Sequence, residues 1–231
     1  MTQRRGKSGT FCAMFGDIVG SRSAVDRKEL QNRIVALLEE INAGYEPDIV
    51  AAFKIIAGDE VRGLLRGQSR SYEIISRFEE AVQPHKMRFA AGIGEISTEI
   101  STDINLVDGP ALHRASAAMA ILKNRKRSRG RSILYSSNDP QKDRVLNALT
   151  FLVTSIKYDW TQQQRRAIAQ IRRGSTFEEA GENLGVSQPS MTHLLRRASY
   201  YPVVEAEALI SSELSARASE TSRADNSAEE L

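Results

Sequence analysis

The sequence predicts an α+β domain, with a ferredoxin-like sheet and packed helices, followed by an all-α helix-turn-helix domain. Three observations lead to this prediction. Short apolar runs alternate with segments of helical spacing up to about residue 158, and two of these runs flank a polar turn. Two short amphipathic segments separated by a glycine follow near residue 180. The length of 231 residues also exceeds the commonest size of a single domain.

Short apolar runs bounded by turn residues predict the strands. The first strand covers 11–19 and ends at Gly20. Residues 49–65 contain two apolar runs around a Gly-Asp-Glu turn at 58–60, which is the pattern of a hairpin. The two remaining strands are predicted at 86–96 and around 132–135.

Helical spacing of apolar residues predicts the helices. The first helix has Asp26 as its N-cap and repeats apolar residues from Leu30 to Ile41, and the second covers 71–82 and is stopped by Pro84. Further helices are expected from Pro110 to about 122, from about Pro140 to Tyr158 and near 202–210, with a polar loop at 97–108 and a basic loop at 123–131. The order strand, helix, strand, strand, helix, strand is that of a ferredoxin-like layout.

The segment FEEAGENLGVSQPSMTHLL at 177–195 fits a helix-turn-helix. Gly181 allows two helices to approach closely, Gly185 allows a positive φ in the turn, and Ser187 can cap the second helix. The inward positions are apolar, namely Ala180, Leu184, Val186, Met191 and Leu194. The outer face, which would enter a DNA major groove, carries Gln188, Ser190, Thr192, His193 and Arg196. Any helical hairpin needs a glycine and an apolar seam, so a purely structural hairpin remains an alternative.

Composition and charge limit the class of protein. No apolar run is long enough to span a membrane, no signal peptide is evident, and the single cysteine, Cys12, predicts a cytoplasmic protein. The formal charge of +3 is unevenly distributed, because 123–131 is basic whereas the end of the chain is acidic. The basic segment is either a solvated loop or a source of extra DNA phosphate contacts. The predicted domains are a flexible basic N-terminus (1–9), the α+β domain (10–158), the helix-turn-helix domain (159–210) and a disordered acidic tail (211–231).

Two carboxylates form a candidate metal site. Asp17 ends the first strand and Asp59 lies at the hairpin tip, so the two can converge at one edge of the sheet. Together with the carbonyl of Ile18 they would offer the hard oxygen ligands that suit Mg²⁺ and a nucleotide's phosphates. Gly-Asp is also a preferred turn sequence, so the carboxylates can equally be turn and strand-end residues.

Five motifs that occur in order resemble the SatD family of bacterial proteins over nearly all of residues 10–210. They are GDIVGSR, GDEVRGLL, MRFAAGIGEIST, DGPALHRASAA, and WTQQQRRAI together with the helix-turn-helix segment. The first three also resemble, more distantly, the class III nucleotide cyclases and the GGDEF-type diguanylate cyclases. This resemblance implies a cyclase-type sheet in which Asp17 and Asp59 hold two divalent ions over a triphosphate, with Ile18 contributing a carbonyl.

The sequence departs from the cyclases where their catalysis depends on an Asn and an Arg. The corresponding positions here are His113 and Ala117, Arg114 lies a quarter-turn away, and Lys54, the candidate purine-selecting lysine, is displaced by one residue. We therefore predict a regulator that binds DNA, senses a nucleotide or a partner, and works as a homodimer. The alternative is a Mg²⁺-dependent enzyme that acts on nucleoside triphosphates through Asp17 and Asp59. A direct catalytic role for His113 or His85 is not expected.

Overall fold

The structure, a computed structural model, describes residues 9–20 and 26–216. The strands of this part of the chain are β1 (Phe11–Ile18), β2 (Ile49–Ala57), β3 (Glu60–Arg66), β4 (Met87–Gly94) and β5 (Ile133–Ser136). Its α-helices are α1 (Arg27–Gly44), α2 (Ser71–Ala81), α3 (Pro110–Lys123), α4 (Arg125–Ser128), α5 (Pro140–Tyr158), α6 (Gln162–Arg172), α7 (Phe177–Leu184), α8 (Gln188–Arg197) and α9 (Tyr200–Ser215). None of the helices in these two ranges is long and apolar enough to cross a membrane.

The chain divides into two compact units. Among the described residues, the sheet unit comprises 9–20, 26–147 and 211–216, and the helical unit comprises Ala148–Ile210. Helix α9 begins close to the predicted position but extends to Ser215, five residues into the segment predicted as a tail. The rest of that tail and most of the predicted N-terminal segment lie outside the described residues.

The sheet unit confirms the predicted α+β class. Its five strands form one mixed sheet in the order β2-β3-β1-β4-β5, in which only the β4–β5 pair is parallel. The chain order β1-α1-β2-β3-α2-β4 is the one expected for a ferredoxin-like layout. Helix α3 and strand β5 extend this arrangement by one parallel strand.

Alternate residues of the strands face two different layers of helices. Phe78 of α2 lies 5.2 Å from Phe89 of β4, measured between ring centroids, so α2 covers the face to which Phe89 belongs. Helix α1 contacts α2 on that side. Ala13 and Phe15 of β1 point the other way, into a core that α3 completes. The sheet therefore lies between α1 and α2 on one face and α3 on the other.

Helix α3 approaches β4 closely because small residues meet at the contact. A Cβ atom on Gly92 would overlap the carbonyl oxygen of Ala111 and the amide nitrogen of Ala115, and a Cβ atom on Gly94 would overlap the guanidinium group of Arg114. Ala111 and Ala115 are fully buried. At Gly92 the overlapping atoms belong to the backbone of α3, so only glycine fits there, whereas at Gly94 a side chain would displace the guanidinium group of Arg114.

The two edge strands are irregular or short. Strand β2 departs from regular pairing with β3 between Ile49 and Ala51, between Ala51 and Lys54, and again before Ala57. Strand β5 has four residues and pairs with β4 alone.

Two local predictions are wrong. The basic segment predicted as a loop contains a helical turn, α4, because the side chain of Asn124 accepts hydrogen bonds from the amides of Lys126 and Arg127. Asp26 precedes α1 as predicted but does not cap it. Its carboxylate instead lies 2.8 Å from Nε2 of His85, and this hydrogen bond lowers the pKa of Asp26.

The helical unit contains three short helices around a small core. Ala167 of α6, Ala180 of α7 and Met191 of α8 are buried together, and Ile171, Leu184, Val186 and Leu194 pack against them. Capping boxes at Thr161 and Thr176 start α6 and α7. The indole nitrogen of Trp160 donates to the carbonyl of Ala198 at 2.7 Å, which joins the start of α6 to the end of α8.

Replacing Gly92 with alanine is expected to destabilise the protein by about 1–3 kcal/mol, because an added methyl group forces α3 away from β4. Gly44→Ala is the control, since nothing lies within 4 Å of its added Cβ and alanine is the better helix former. Urea unfolding of the full chain measures both effects. Equal midpoints for Gly92→Ala and the wild type would contradict the close contact.

Candidate functional site

Asp17, at the end of β1, lies on the face of the sheet that α3 covers. It is two residues beyond Phe15, and its backbone pairs with Glu60 of β3 and Arg88 of β4. Arg88 donates from Nη1 to Oδ2 of Asp17 at 2.8 Å, and Nζ of Lys123 lies 3.0 Å from Oδ1. The side chain of Asp17 is only 12% exposed. Each carboxylate oxygen therefore already has a cationic partner in a largely buried position.

Glu60 extends these contacts along the edge of the sheet. Arg62 donates from Nε to Oε1 of Glu60 at 2.7 Å, and Nζ of Lys123 lies 3.5 Å from Oε2. Burial lowers the pKa of Lys123, but the hydrogen bond and charge of Asp17, together with Glu60, outweigh burial and raise it. Lys123 is therefore protonated at neutral pH. We call this group the ion-pair cluster; it consists of Asp17, Glu60, Arg62, Arg88 and Lys123.

Asp59 and Ile18 line a different feature at the same end of the sheet. They border a cleft of about 30 Å³ beside α1, which also includes Leu30 and Ile34. A cleft of this volume holds about two water molecules. Asp17 therefore points towards α3 while Asp59 borders a cleft beside α1.

The donor set around Asp17 does not suit Mg²⁺ as it is arranged here. A cation bound to Asp17 would lie beside the positive charges of Arg88 and Lys123, which oppose its binding unless they move away. Over residues 9–20 and 26–216, no group of three or more His, Cys, Asp or Glu side chains is disposed to hold a metal ion.

The other residues suggested by the cyclase resemblance have structural partners. Nζ of Lys54 lies 2.6 Å from Oδ1 of Asp103, and this hydrogen bond is the main cause that lowers the pKa of Asp103. Arg114 donates from Nη1 to the carbonyl of Ile93 at 2.6 Å, so its guanidinium group ties α3 to β4. Nε2 of His113 lies 2.8 Å from Oδ1 of Asp108 at an exposed position.

Helix α8 presents the second candidate site. Its buried side consists of Met191 and Leu195, while all five predicted DNA-contacting residues are exposed, namely Gln188, Ser190, Thr192, His193 and Arg196. At 100° per residue, His193 lies opposite the buried residues, with Arg196 and Ser190 on either side of it. Thr192 lies at a flank, and Gln188, in the first turn, lies closest to the buried side. The helix thus exposes a continuous polar face.

Two of the hydroxyl groups on α8 also make hydrogen bonds within the helix. The Oγ atoms of Ser187 and Ser190 lie 2.9 Å apart, and Ser187 caps the helix by accepting from the amide of Ser190. Oγ1 of Thr192 donates to the carbonyl of Gln188 at 3.3 Å. No such hydrogen bond involves the side chains of His193 or Arg196 within the described residues.

Sequence analysis does not identify the cations that pair with Asp17. Arg88 lies 71 residues away, and only the strand order, with β4 beside β1, places it next to Asp17. Lys123 is the first residue of a basic run. The sequence does not distinguish it from the other basic residues of that run, although it alone pairs with Asp17. Arg88 is a charged residue near the start of β4, a strand that is otherwise apolar. This exception to the apolar pattern is a signal that could have marked Arg88 as a candidate site residue.

The structure thus defines an α+β protein with a five-stranded mixed sheet and a second, helical unit. The model of the SatD family matches residues 11–199, which is more than half of the chain. The protein belongs to the SatD family, as its motifs predict. Among curated proteins, no match to the sequence was found.

Two solved structures are similar to the chain. One is a bacterial light-regulated adenylyl cyclase, with a TM-score of 0.40 and 16% identity over 55% of this chain and 76% of that chain. The other is the regulator of polyketide synthase expression from Bifidobacterium adolescentis, with a TM-score of 0.27 and 13% identity over 89% of this chain and 86% of that chain.

Asp17→Asn is expected to lower the free energy of unfolding by about 1–3 kcal/mol, because it leaves Arg88 and Lys123 without their shared anion. Glu39→Gln, the same change at an exposed position of α1, should stay within about 0.5 kcal/mol of the wild type. Urea denaturation at pH 7 compares the two variants. A silent Asp17→Asn would show that the ion-pair cluster contributes nothing to stability.

Proposed function

We propose that this protein is a DNA-binding regulator in which α7 and α8 form a helix-turn-helix and α8 is the recognition helix. The observation that carries the proposal is the exposed polar face of α8, which combines amide, hydroxyl, imidazole and guanidinium groups. These are the groups that read base edges in the major groove and contact phosphates.

The turn between α7 and α8 supports this proposal. Gly185 has a φ of 66°, a left-handed conformation that glycine adopts without strain, and it ends α7. A Cβ atom on Gly181 would lie 2.6 Å from the carbonyl oxygen of Val186, so the turn folds back closely over α7. Ser187 then starts α8 at once. A turn of this kind holds two short helices at a fixed angle, as DNA-binding helix pairs require.

We further propose that the sheet unit is a nucleotide-cyclase-like sensor rather than an enzyme. Catalysis of cyclase type needs preorganised donors for the charge that develops in the transition state. Arg114, the only suggested substitute for the missing arginine, donates to the backbone of β4 instead. Ala117 has no donor. The ligand for such a sensor would be a nucleotide or a protein partner.

The alternative is a Mg²⁺-dependent enzyme acting on nucleoside triphosphates through Asp17 and Asp59, with Ile18 supplying a carbonyl. It requires the cations that now bind Asp17 to move aside, and a triphosphate is an anion that could attract Arg88 and Lys123 to itself. The two proposals differ in one measurable respect, which is the release of pyrophosphate.

Pairing of two copies is part of the proposed regulator. A dimer would offer two α8 helices to two half-sites on DNA, which raises affinity over that of one copy. Three large apolar side chains of α9 are exposed and available for such pairing, namely Tyr201, Val204 and Leu209. A DNA-binding role would place the protein beside the chromosome, in the cytoplasm of a bacterial cell.

Arg196→Ala is expected to weaken binding to the DNA upstream of the protein's own gene by about 1–3 kcal/mol, because it removes a base or phosphate contact. Arg66→Ala, which removes an exposed arginine at the end of β3, should leave this binding nearly unchanged. Fluorescence anisotropy at low ionic strength measures both variants. The regulator proposal fails if the wild type shows no salt-dependent binding to this DNA.

The wild type incubated with Mg²⁺ and ATP or GTP is expected to release no pyrophosphate above background, because Arg114 donates to the backbone of β4 and Ala117 has no polar side chain to act as a transition-state donor. A coupled pyrophosphate assay with Asp17→Asn as the paired sample tests this. Release that disappears in Asp17→Asn would establish the enzyme and overturn the sensor. A rise in melting temperature with Mg²⁺ and nucleotide, without release, would support a sensor.

A further inference from the structure

We propose that the helical turn after α3 is a second DNA-contacting surface, which binds the phosphate backbone without reading sequence. We call this surface the basic turn; it consists of Arg125, Lys126, Arg127 and Arg129. It belongs to the sheet unit, so it is separate in the chain from α8. The inference adds to the proposed DNA binding and names a part of the protein that the helix-turn-helix does not include.

The basic turn is held in a defined conformation. Asn124 caps α4 by accepting from the amides of Lys126 and Arg127, at 3.1 and 3.2 Å. Ser128 is buried, and its hydroxyl donates to the carbonyl of Arg125. Arg129 ends the turn in a left-handed conformation with a φ of 50°. The four cations therefore project from a fixed turn, so less conformational entropy is lost when they bind an anion.

The charges of the basic turn lie next to one another and lack the carboxylate partners that many cations of the sheet unit have. Among the described residues of this unit, the cations with a carboxylate partner include Arg33, Lys54, Arg62, Arg70, Arg77, Arg88 and Lys123. All four cations of the basic turn are exposed, and none forms an ion pair within residues 9–20 and 26–216. Asp17 and Glu60, the carboxylates that pair with the preceding Lys123, also pair with Arg88 and Arg62 respectively. Four neighbouring positive charges repel one another, and a bound anion would offset this repulsion.

The chemistry of the basic turn fits nucleic acid phosphates. Three of its four cations are arginines, whose planar guanidinium groups bind phosphate oxygens in pairs. The polar side chain beside them, Asn124, uses its carbonyl oxygen as the helix cap and cannot read a base edge with it. Duplex DNA offers about one negative charge per 1.7 Å of helix axis, which matches a dense group of cations. The surface should therefore add affinity equally for all sequences.

The basic turn belongs to the same chain as α8, so it can contribute to DNA binding even if its own affinity for DNA is low. When one part of a chain is bound to DNA, the other part experiences an effective concentration in the millimolar range for a short linker. The basic turn needs no high affinity of its own under these conditions. It would raise affinity and salt dependence, while α8 sets the sequence.

The test compares two triple variants of the full chain that remove the same charge. The first is Arg125→Gln with Lys126→Gln and Arg127→Gln, which keeps the cap at Asn124 and uses a good helix former. The control is Lys28→Gln with Arg66→Gln and Arg144→Gln, which removes three exposed cations that are scattered over the sheet unit. Circular dichroism and melting temperature verify that both variants fold. Affinities are measured against salt for the upstream DNA and for a random duplex of the same length.

The expected result is a loss of slope in the plot of log affinity against log salt. Each lost phosphate contact lowers the slope by about 0.9, so the first variant should lose about 2–3 on both duplexes. The control should lose less than about 1. Equal losses in the two variants, or no loss in the first, would overturn the inference and leave the proposed function standing.

The remaining outcomes separate the two proposals. Wild-type binding to the random duplex alone, with a slope that depends on the basic turn, supports the inference and refutes sequence-specific regulation. No binding to either duplex refutes both. If the first variant binds DNA like the wild type but no longer binds Mg²⁺ and ATP, the basic turn is a nucleotide site and the inference is wrong.

Discussion

The contact between α3 and β4 positions three features of the sheet unit: Arg114, the ion pair of Lys123 with Asp17, and the basic turn. Glycine at 92 and 94 and alanine at 111 and 115 let the helix axis lie close to the strand, and Arg114 then fastens the helix to the carbonyl of Ile93. The far end of the same helix carries Lys123 to Asp17, and the basic turn follows directly. A shift of α3 would therefore move an anchoring arginine, a buried ion pair and a cationic surface together.

The ion-pair cluster shows how basic side chains can neutralise a largely buried carboxylate. A largely buried aspartate needs positive charge nearby, since its desolvation is costly. A bound divalent ion or fixed basic side chains can both supply that charge. Here Arg88 and Lys123 supply it, so Asp17 links β1, β4 and α3 and contributes to the packing of the sheet.

The sequence predicts much of the fold because strands and helices follow from apolar spacing. The α+β class, the hairpin around Gly58 and the cap at Ser187 follow from the local pattern. The partners of Asp17 could not be predicted, since they depend on which strands are neighbours and not on any local signal. The turn α4 is also difficult to predict, because it has only four residues and its one local signal is the capping side chain of Asn124 in a run of basic residues. The outer face of α8 can be predicted from the sequence, because its buried residues recur at the period of a helix.

The irregular edges of the sheet restrict how this protein can associate with itself. Strand β2 is interrupted by register shifts, and β5 is only four residues long. Neither presents a long, regular row of backbone donors and acceptors, so addition of a strand from a second molecule is disfavoured on both sides. The sheet unit is thereby protected against growing into a continuous intermolecular sheet during synthesis or at high concentration. Association between copies is left to side chains on helices, whose composition can change without disturbing the sheet.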